Sequence, residues 1–244
     1  MKQGVFSIAE NIKLTDNVYK MKLLGDVSDI TSAGQFVNIK LDGLYLRRPI
    51  SVYDRDEASV TIIYKVVGHG TEQMSHMNEG EQLDVLTGLG NGYDLTLSGD
   101  EPLLLGGGVG VPPLYMLAKE LIKQGKKVSV ILGFNTKAEV FCEEEFIALG
   151  AETTVVTADG SYGKKGFVTD AYPKNYSYFY TCGPEPMLKA IYKTAKTEGQ
   201  FSFEERMGCG FGACMGCSCK TITGYKRICK DGPVMKKEEI LWED

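Results

Sequence analysis

Histidine is almost absent from this 244-residue sequence, which contains only His69 and His76. Neither has a nearby set of partners, which argues against a histidine-built metal site and a Ser-His-Asp type of catalysis. No apolar run approaches the ~20 residues that a membrane-spanning helix needs. The opening stretch, MKQGVFSIAE, lacks the apolar core of a secretory signal. Basic charge is not in excess either. The 27 Lys and Arg stand against 32 Asp and Glu, giving a net charge of −5 and a pI near 5.3, which argues against a nucleic-acid partner. Repeats and low-complexity tracts are missing. At 43% hydrophobic and 24% charged residues the chain can bury ordinary cores, and its length suggests two domains with a short appendix. A reducing cytoplasmic location fits these features.

Cysteine is unevenly spread. Of seven, five fall within 206–229, where Cys209, Cys214 and Cys217 stand at C-x4-C-x2-C and Cys229 follows later. This is the ligand spacing of a plant-type [2Fe–2S] centre, three thiolates from one loop and a fourth from a later turn. Gly208, Gly210, Gly212 and Gly216 let the backbone pass close to an inorganic core and adopt positive φ. Freed N–H groups can then point at the sulfides. Zinc held by Cys209, Cys214, Cys217 and Cys219 is the rival reading, although zinc sites usually separate two hooks by a longer loop. Cys219 could also replace Cys229 as the fourth iron ligand. Disulfides do not fit a chain with no mark of secretion.

Residues 1–97 read as strands. Val18–Leu23, Phe36–Leu41 and Val60–Val66 alternate between Gly-, Asp- and Asn-rich turns, the pattern of a small antiparallel barrel, and only Thr71–Met77 looks helical. Two pieces carry polar chemistry. In Arg47-Arg48-Pro49-Ile50-Ser51 an arginine beside a proline-fixed backbone can grip a phosphate, and Ser51 can bond a planar ring edge. In Gly68-His69-Gly70-Thr71, Gly70 and Thr71 offer N–H groups at a helix start. Together they point to a dinucleotide such as FAD.

From Glu101 the pattern changes. A short apolar run, Pro102–Leu105, leads into Gly106-Gly107-Gly108-Val109-Gly110-Val111-Pro112-Pro113, and then Leu114, Leu117, Ala118, Leu121 and Ile122 recur at helical spacing. A strand, a glycine turn and a helix form a phosphate cradle, because N–H groups and the helix dipole converge there. Strands at 127–132, 153–157 and 177–182 alternate with helices at 138–149 and 186–198, and 164–172 is left undecided. This rhythm implies a parallel sheet with ligands at the strand C-terminal ends. Cys182-Gly183-Pro184 sits at such an end, where a small thiol can touch a nicotinamide. Alone, Cys182 reads as packing. Cys142 reads as a small core residue, and Glu143–Glu145 as the solvated side of a helix.

Taken in order, Arg48-Pro49-Ile50-Ser51, then Gly106–Pro113 with Cys182-Gly183-Pro184, resemble the ferredoxin–NADP reductase superfamily. Glu205-Arg206-Met207-Gly208-Cys209-Gly210-Phe211-Gly212-Ala213-Cys214 with Tyr225–Val234 resembles the electron-transfer subunits of dihydroorotate dehydrogenase B. The resemblance implies an α+β, multidomain architecture. An antiparallel FAD-binding β-barrel (1–99) is followed by a parallel α/β NAD-binding domain (100–201) and a small [2Fe–2S] segment (202–244). It also implies FAD contacts at Arg48, Pro49, Ile50, Ser51, Ile63, Tyr64, Lys65, Gly70 and Thr71. NAD contacts fall at Gly106, Gly107, Gly108, Gly110, Cys182, Gly183 and Pro184, and cluster ligation by Cys209, Cys214, Cys217 and Cys229 leaves Cys219 free. The implied role carries electrons from an FMN-containing dihydroorotate dehydrogenase catalytic subunit, in a heterotetramer of two catalytic and two electron-transfer subunits. No side chain acts as acid, base or nucleophile.

The alternative is an NAD(P)H oxidoreductase subunit feeding a hydrogenase or a ferredoxin; a zinc knuckle that docks a partner is a third reading. NAD is expected over NADP, because Gly133–Lys137 offers no arginine for a 2′-phosphate. The 43 residues after Phe201 look too few to stand alone, so this segment is expected to lean on a partner and to expose Phe211 and Met215 there.

Overall fold

The structure, a computed structural model, describes residues 1–242. Period-two alternation puts Met21, Leu23, Val37, Ile39, Val52, Val60, Ile62 and Val85 in one buried core. Six strands surround it: β1 (Lys2–Lys13), β2 (Val18–Leu24), β3 (Phe36–Lys40), β4 (Arg48–Arg55), β5 (Ser59–Lys65) and β6 (Gln82–Leu89). They close as an antiparallel barrel in the order β1-β2-β5-β4-β3-β6. A helix, α1 (His69–Ser75), lies between β5 and β6. It starts two residues before the expected Thr71, because the Thr71 hydroxyl accepts the Val67 N–H at 2.9 Å and donates to the Gly68 carbonyl. Where β6 faces β3, a bulge at Thr87–Gly88 bends the sheet beside Phe36 and Asn38.

The second half is built on β7 (Pro102–Gly107), α2 (Pro113–Lys123), β8 (Ser129–Phe134), α3 (Glu143–Ala148), β9 (Glu152–Thr157), β10 (Lys164–Lys165), β11 (Tyr178–Cys182), α4 (Glu185–Thr194) and β12 (Gly199–Ser202). The expected helix over 138–149 is much shorter. Cys142 adopts a left-handed φ of 66° at its start, while Phe141 is drawn onto Phe134 with ring centroids 5.3 Å apart. The helix expected to 198 stops at Thr194, because Ala195 is extended and leads the chain into β12. The undecided 164–172 resolves into β10 and one 3-10 turn.

The cluster segment contributes a hairpin, β13 (Ser218–Thr221) with β14 (Gly224–Arg227), and then β15 (Val234–Lys236). β15 pairs antiparallel with β12, so the sheet order is β10-β9-β8-β7-β11-β12-β15. Phe36, Leu86 and Leu89 of the barrel share a core with Cys217, Ile228, Cys229 and Met235. The segment therefore leans on the barrel of its own chain. Too few apolar residues lie in the segment to build a core, so it borrows one.

Barrel and sheet are locked by α2. Tyr115 stacks on Tyr53 of β4 at 4.3 Å, and Lys119 bonds Asp54 at 2.7 Å. Burial of the rings carries more than the half-exposed ion pair. Tyr53→Ala is expected to cost about 3 kcal/mol, whereas Lys119→Ala costs under about 1 kcal/mol; urea unfolding midpoints of the two variants check the difference.

Candidate functional site

The cysteine loop turns its thiols inward in two pairs. The Cys214 N–H reaches Cys209 Sγ, and the Cys229 N–H reaches Cys217 Sγ. Backbone N–H groups of Phe211, Ala213 and Cys214 donate to Cys209 Sγ at 3.5, 3.2 and 3.5 Å. Gly216 N–H donates to Cys214 Sγ at 3.5 Å and Cys229 N–H to Cys217 Sγ at 3.4 Å. Burial alone would raise the Cys209 thiol, but the donors from Phe211, Cys214 and Ala213 outweigh it and bring the thiol down. Cys229 moves up, through burial and then through its bond to Cys217 and the charges of Cys217 and Cys209. Such a group cannot ionise fully without a cation among it, which is what an iron core provides.

Among the described residues no three His, Cys, Asp or Glu side chains converge on a single-ion position. The positive observation is that the four cysteines lie as two neighbouring pairs, and their C-x4-C-x2-C spacing with a later Cys229 is that of a two-iron centre. Cys219 lies on β13, opposite Lys226 of β14 and half-buried against the same core as Cys217 and Cys229, and burial raises its thiol. Of the four loop glycines expected at positive φ, Gly210 and Gly212 have it; the third left-handed position is Met215, at 60°. Met215 and Phe211 are both exposed, at 54% and 42%.

A latch closes the loop. The Arg227 guanidinium grips Asp231 with two bonds of 2.9 and 3.1 Å, and its third arm donates to the Gly212 carbonyl at 3.0 Å. Asn91, two residues past β6, donates to the carbonyls of Lys230 and Asp231. The turn that carries Cys229 is thus tied both to the first three cysteines and to the barrel.

On the barrel, the ladder between β4 and β5 stops at the Val52–Ile62 pair. Beyond it the facing edges, Arg48–Ser51 and Ile63–Lys65, carry no ladder bonds to one another, which leaves a slot whose backbone edges suit a flat heteroaromatic ring. Arg48–Ser51 lie within β4 itself, not in a turn after a strand, and all four are half-exposed. The Arg48 guanidinium lies on the backbone of Gly70; a Cβ there would sit 2.1 Å from Nε. The two anion-binding pieces expected from sequence are therefore together. Ile63 and Tyr64 are buried, with the Tyr64 hydroxyl donating to Asn11 at 3.0 Å, so their side chains are structural. Arg47 is likewise committed, to Asp84 at 3.0 Å.

In the sheet, strand order reverses between β7 and β11, the place where open α/β sheets bind ligands. Gly106–Gly110 and Cys182–Pro184 meet there. Cys182 is in register with Gly106, and a Cβ on Gly110 would lie 2.3 Å from the Cys182 carbonyl. Burial pushes the Cys182 thiol up to about 12, so it stands neutral. Lys65, Gly108, Val109, Phe134 and Glu139 line one cleft between barrel and sheet.

Residues 204–241 match the family model of the iron-sulfur cluster binding domain of dihydroorotate dehydrogenase B, and 104–193 that of the oxidoreductase NAD-binding domain. The electron transfer subunit of dihydroorotate dehydrogenase B (NAD(+)) from Fusobacterium nucleatum is 47% identical, over 98% of this chain and 99% of that one. Its counterpart from Bacillus pumilus is 45% identical over 98% of each. This chain belongs to the family of dihydroorotate dehydrogenase B electron transfer subunits. Among solved structures, an NADH-dependent reduced ferredoxin–NADP oxidoreductase described with flavin-based electron bifurcation matches with a TM-score of 0.89. It is 31% identical over 98% of this chain and 90% of its own. The ferredoxin–NADP reductase architecture expected from sequence is the one found, and the chain is an oxidoreductase subunit of that type.

Sequence reasoning missed Arg227, Asp231, Asn91 and Asn38 as supports of the family's cysteine loop. The i,i+4 spacing of Arg227 and Asp231 was a usable signal; the long-range bonds of Asn91 and Asn38 had none. Arg227 holds the Asp231 carboxyl down to about 2. The latch's contribution is therefore complete above the ordinary carboxylate pKa and is lost only as pH falls through about 2. Asp231→Asn is expected to speed amide exchange at Ile228–Lys230 about tenfold or more, read by hydrogen–deuterium exchange.

Proposed function

We propose that this chain is the electron-transfer subunit of an NAD-dependent dihydroorotate dehydrogenase of pyrimidine biosynthesis. Electrons pass from an FMN-containing catalytic subunit, by way of a [2Fe–2S] cluster and FAD, to NAD+. The observation that carries this reading is the seat of the paired thiols against Phe36 of β3 and Leu86 and Leu89 of β6, in the same barrel whose β4–β5 slot stands open. When bound, cluster and flavin together supply the conversion between single-electron and hydride transfer, which NAD requires.

The chain's own residues bind and orient. Cys209, Cys214, Cys217 and Cys229 would hold the cluster, and the loop N–H groups would stabilise their charge. Arg48 with the backbone of Gly70 and Thr71 receives the flavin's phosphates. Pro49, Ile50 and Ser51 face the backbone of Ile63, Tyr64 and Lys65 across the slot. Gly106, Gly107, Gly108 and Gly110 cradle the NAD pyrophosphate, and Gly183 and Pro184 shape the turn that sets the neutral Cys182 beside the nicotinamide. No side chain moves a proton. The division into 1–99, 100–201 and 202–244 belongs to this proposal, with β15 reaching back across the last boundary.

A catalytic partner is implied by the family's name, and we place it over the exposed rim of Phe211 and Met215. The assembly is a heterotetramer of two catalytic and two electron-transfer subunits, in the cytoplasm. Among the described residues no helix is long and apolar enough to cross a membrane. The likeness to the ferredoxin–NADP oxidoreductase supports a second reading, in which a ferredoxin is the partner. Co-purification with an FMN subunit and dihydroorotate-dependent reduction of NAD+ decides for the first; ferredoxin-dependent turnover without dihydroorotate activity decides for the second.

The structure sharpens cofactor choice as well. Glu139, held by Asn135 at 2.9 Å, puts a carboxylate after β8 where a 2′-phosphate would be repelled. kcat/KM with NADH should exceed that with NADPH by about tenfold or more; equal efficiencies in steady-state assays refute this. For the cluster, Cys229→Ser should shift or abolish the reduced-state EPR signal and Cys219→Ser should leave it intact, and the reverse result would make Cys219 the ligand.

A further inference from the structure

One polar side chain lies where the two halves of the proposed electron path meet. Asn38, in the middle of β3, is only 1% exposed. Its flanking residues Val37 and Ile39 point into the barrel core, so Asn38 points outward with Phe36. Phe36 shares one core with Cys217 and Cys229. Asn38 itself donates from Nδ2 to the carbonyl of Cys209 at 3.2 Å. Contact there is close, since a Cβ on Gly210, whose φ is 80°, would lie 2.4 Å from Nδ2. On its other side Asn38 is in register with Pro49, and Phe36 with Ser51, so the four side chains share one sheet face. The cluster loop and the flavin-facing start of β4 therefore rest on the same patch of barrel.

The amide orientation is fixed by chemistry: the Cys209 carbonyl can only accept, so the NH2 faces it. That leaves Oδ1 buried and without any hydrogen-bond donor from the protein. A buried amide oxygen without a donor is costly, and native structures rarely keep one. FAD carries a ring N–H and ribityl hydroxyls, all donors, and the β4–β5 slot lies beside this face.

We propose that Asn38 is a positioning residue that bridges the two redox sites, holding the first cluster ligand through its N–H and accepting a hydrogen bond from FAD through Oδ1. The proposal rests on the assignment of FAD to the slot and the cluster to the four thiols. The unaltered protein's flavin spectrum and EPR signal test that assignment separately.

The decisive comparison uses Asn38→Leu and Asn38→Asp, both of similar size. Each loses the donor to Cys209, but aspartate keeps an acceptor and leucine does not. FAD affinity, measured by flavin fluorescence on the cluster-free full chain, should fall about tenfold or more in Asn38→Leu and stay near the original in Asn38→Asp. The EPR g-values of the reduced cluster should move in both. Equal FAD affinities in the two variants overturn the bridge, whether both are weakened, as a merely structural role would give, or both unaltered. An unshifted EPR signal in Asn38→Leu with full iron content also overturns it. If neither variant assembles a cluster, the flavin comparison alone decides, since it needs none.

Discussion

Four cysteines must be held close together around one loop, where thiolates without a partner would repel one another. Everything around residues 206–233 serves that constraint. Backbone N–H groups aim at Cys209, Cys214 and Cys217, the Arg227–Asp231 latch fixes the returning turn, and the barrel's Phe36, Leu86 and Leu89 supply the apolar wall that the segment cannot build from its own residues. The proposed ligand set is thus shaped by the fold itself, and a bound cation would offset the repulsion that ionising these thiols creates.

The same economy arranges the other two sites. A strand pair that stops bonding early leaves an open slot with unladdered edges. A sheet whose order reverses between β7 and β11 leaves a crevice at its carboxyl ends. Neither needs a dedicated structure, only an interruption in a regular one. The stacked Tyr53 and Tyr115 hold slot and crevice in a constant relation.

Much of this was legible in the sequence because it rests on local chemistry. C-x4-C-x2-C with a later cysteine, glycines before a helical pattern, and Arg-Pro after an alternating strand each report a backbone requirement within a few residues. The two-domain plan followed from the change of hydrophobic period near Glu101. What was not legible depends on contacts far apart in the chain. Asn38 reads as a polar interruption of a strand, and only the fold brings it to Cys209, 171 positions away. The helix expected at 138–149 failed for a related reason: Phe141 gains more by packing on Phe134 than by continuing a turn. The cluster segment read as an appendix because β15 is three residues long, too short to announce itself as a strand.

That short strand also splices the last segment into the nucleotide-binding half. β15 pairs with β12, β12 with β11 and β11 with β7, and the turn that carries Cys229 precedes β15 directly. One end of this turn is therefore moored to the parallel sheet while Asn91 moors it to the barrel. Any shift of the one half against the other would be felt at Cys229 first, which makes this cysteine the strain gauge of the whole chain.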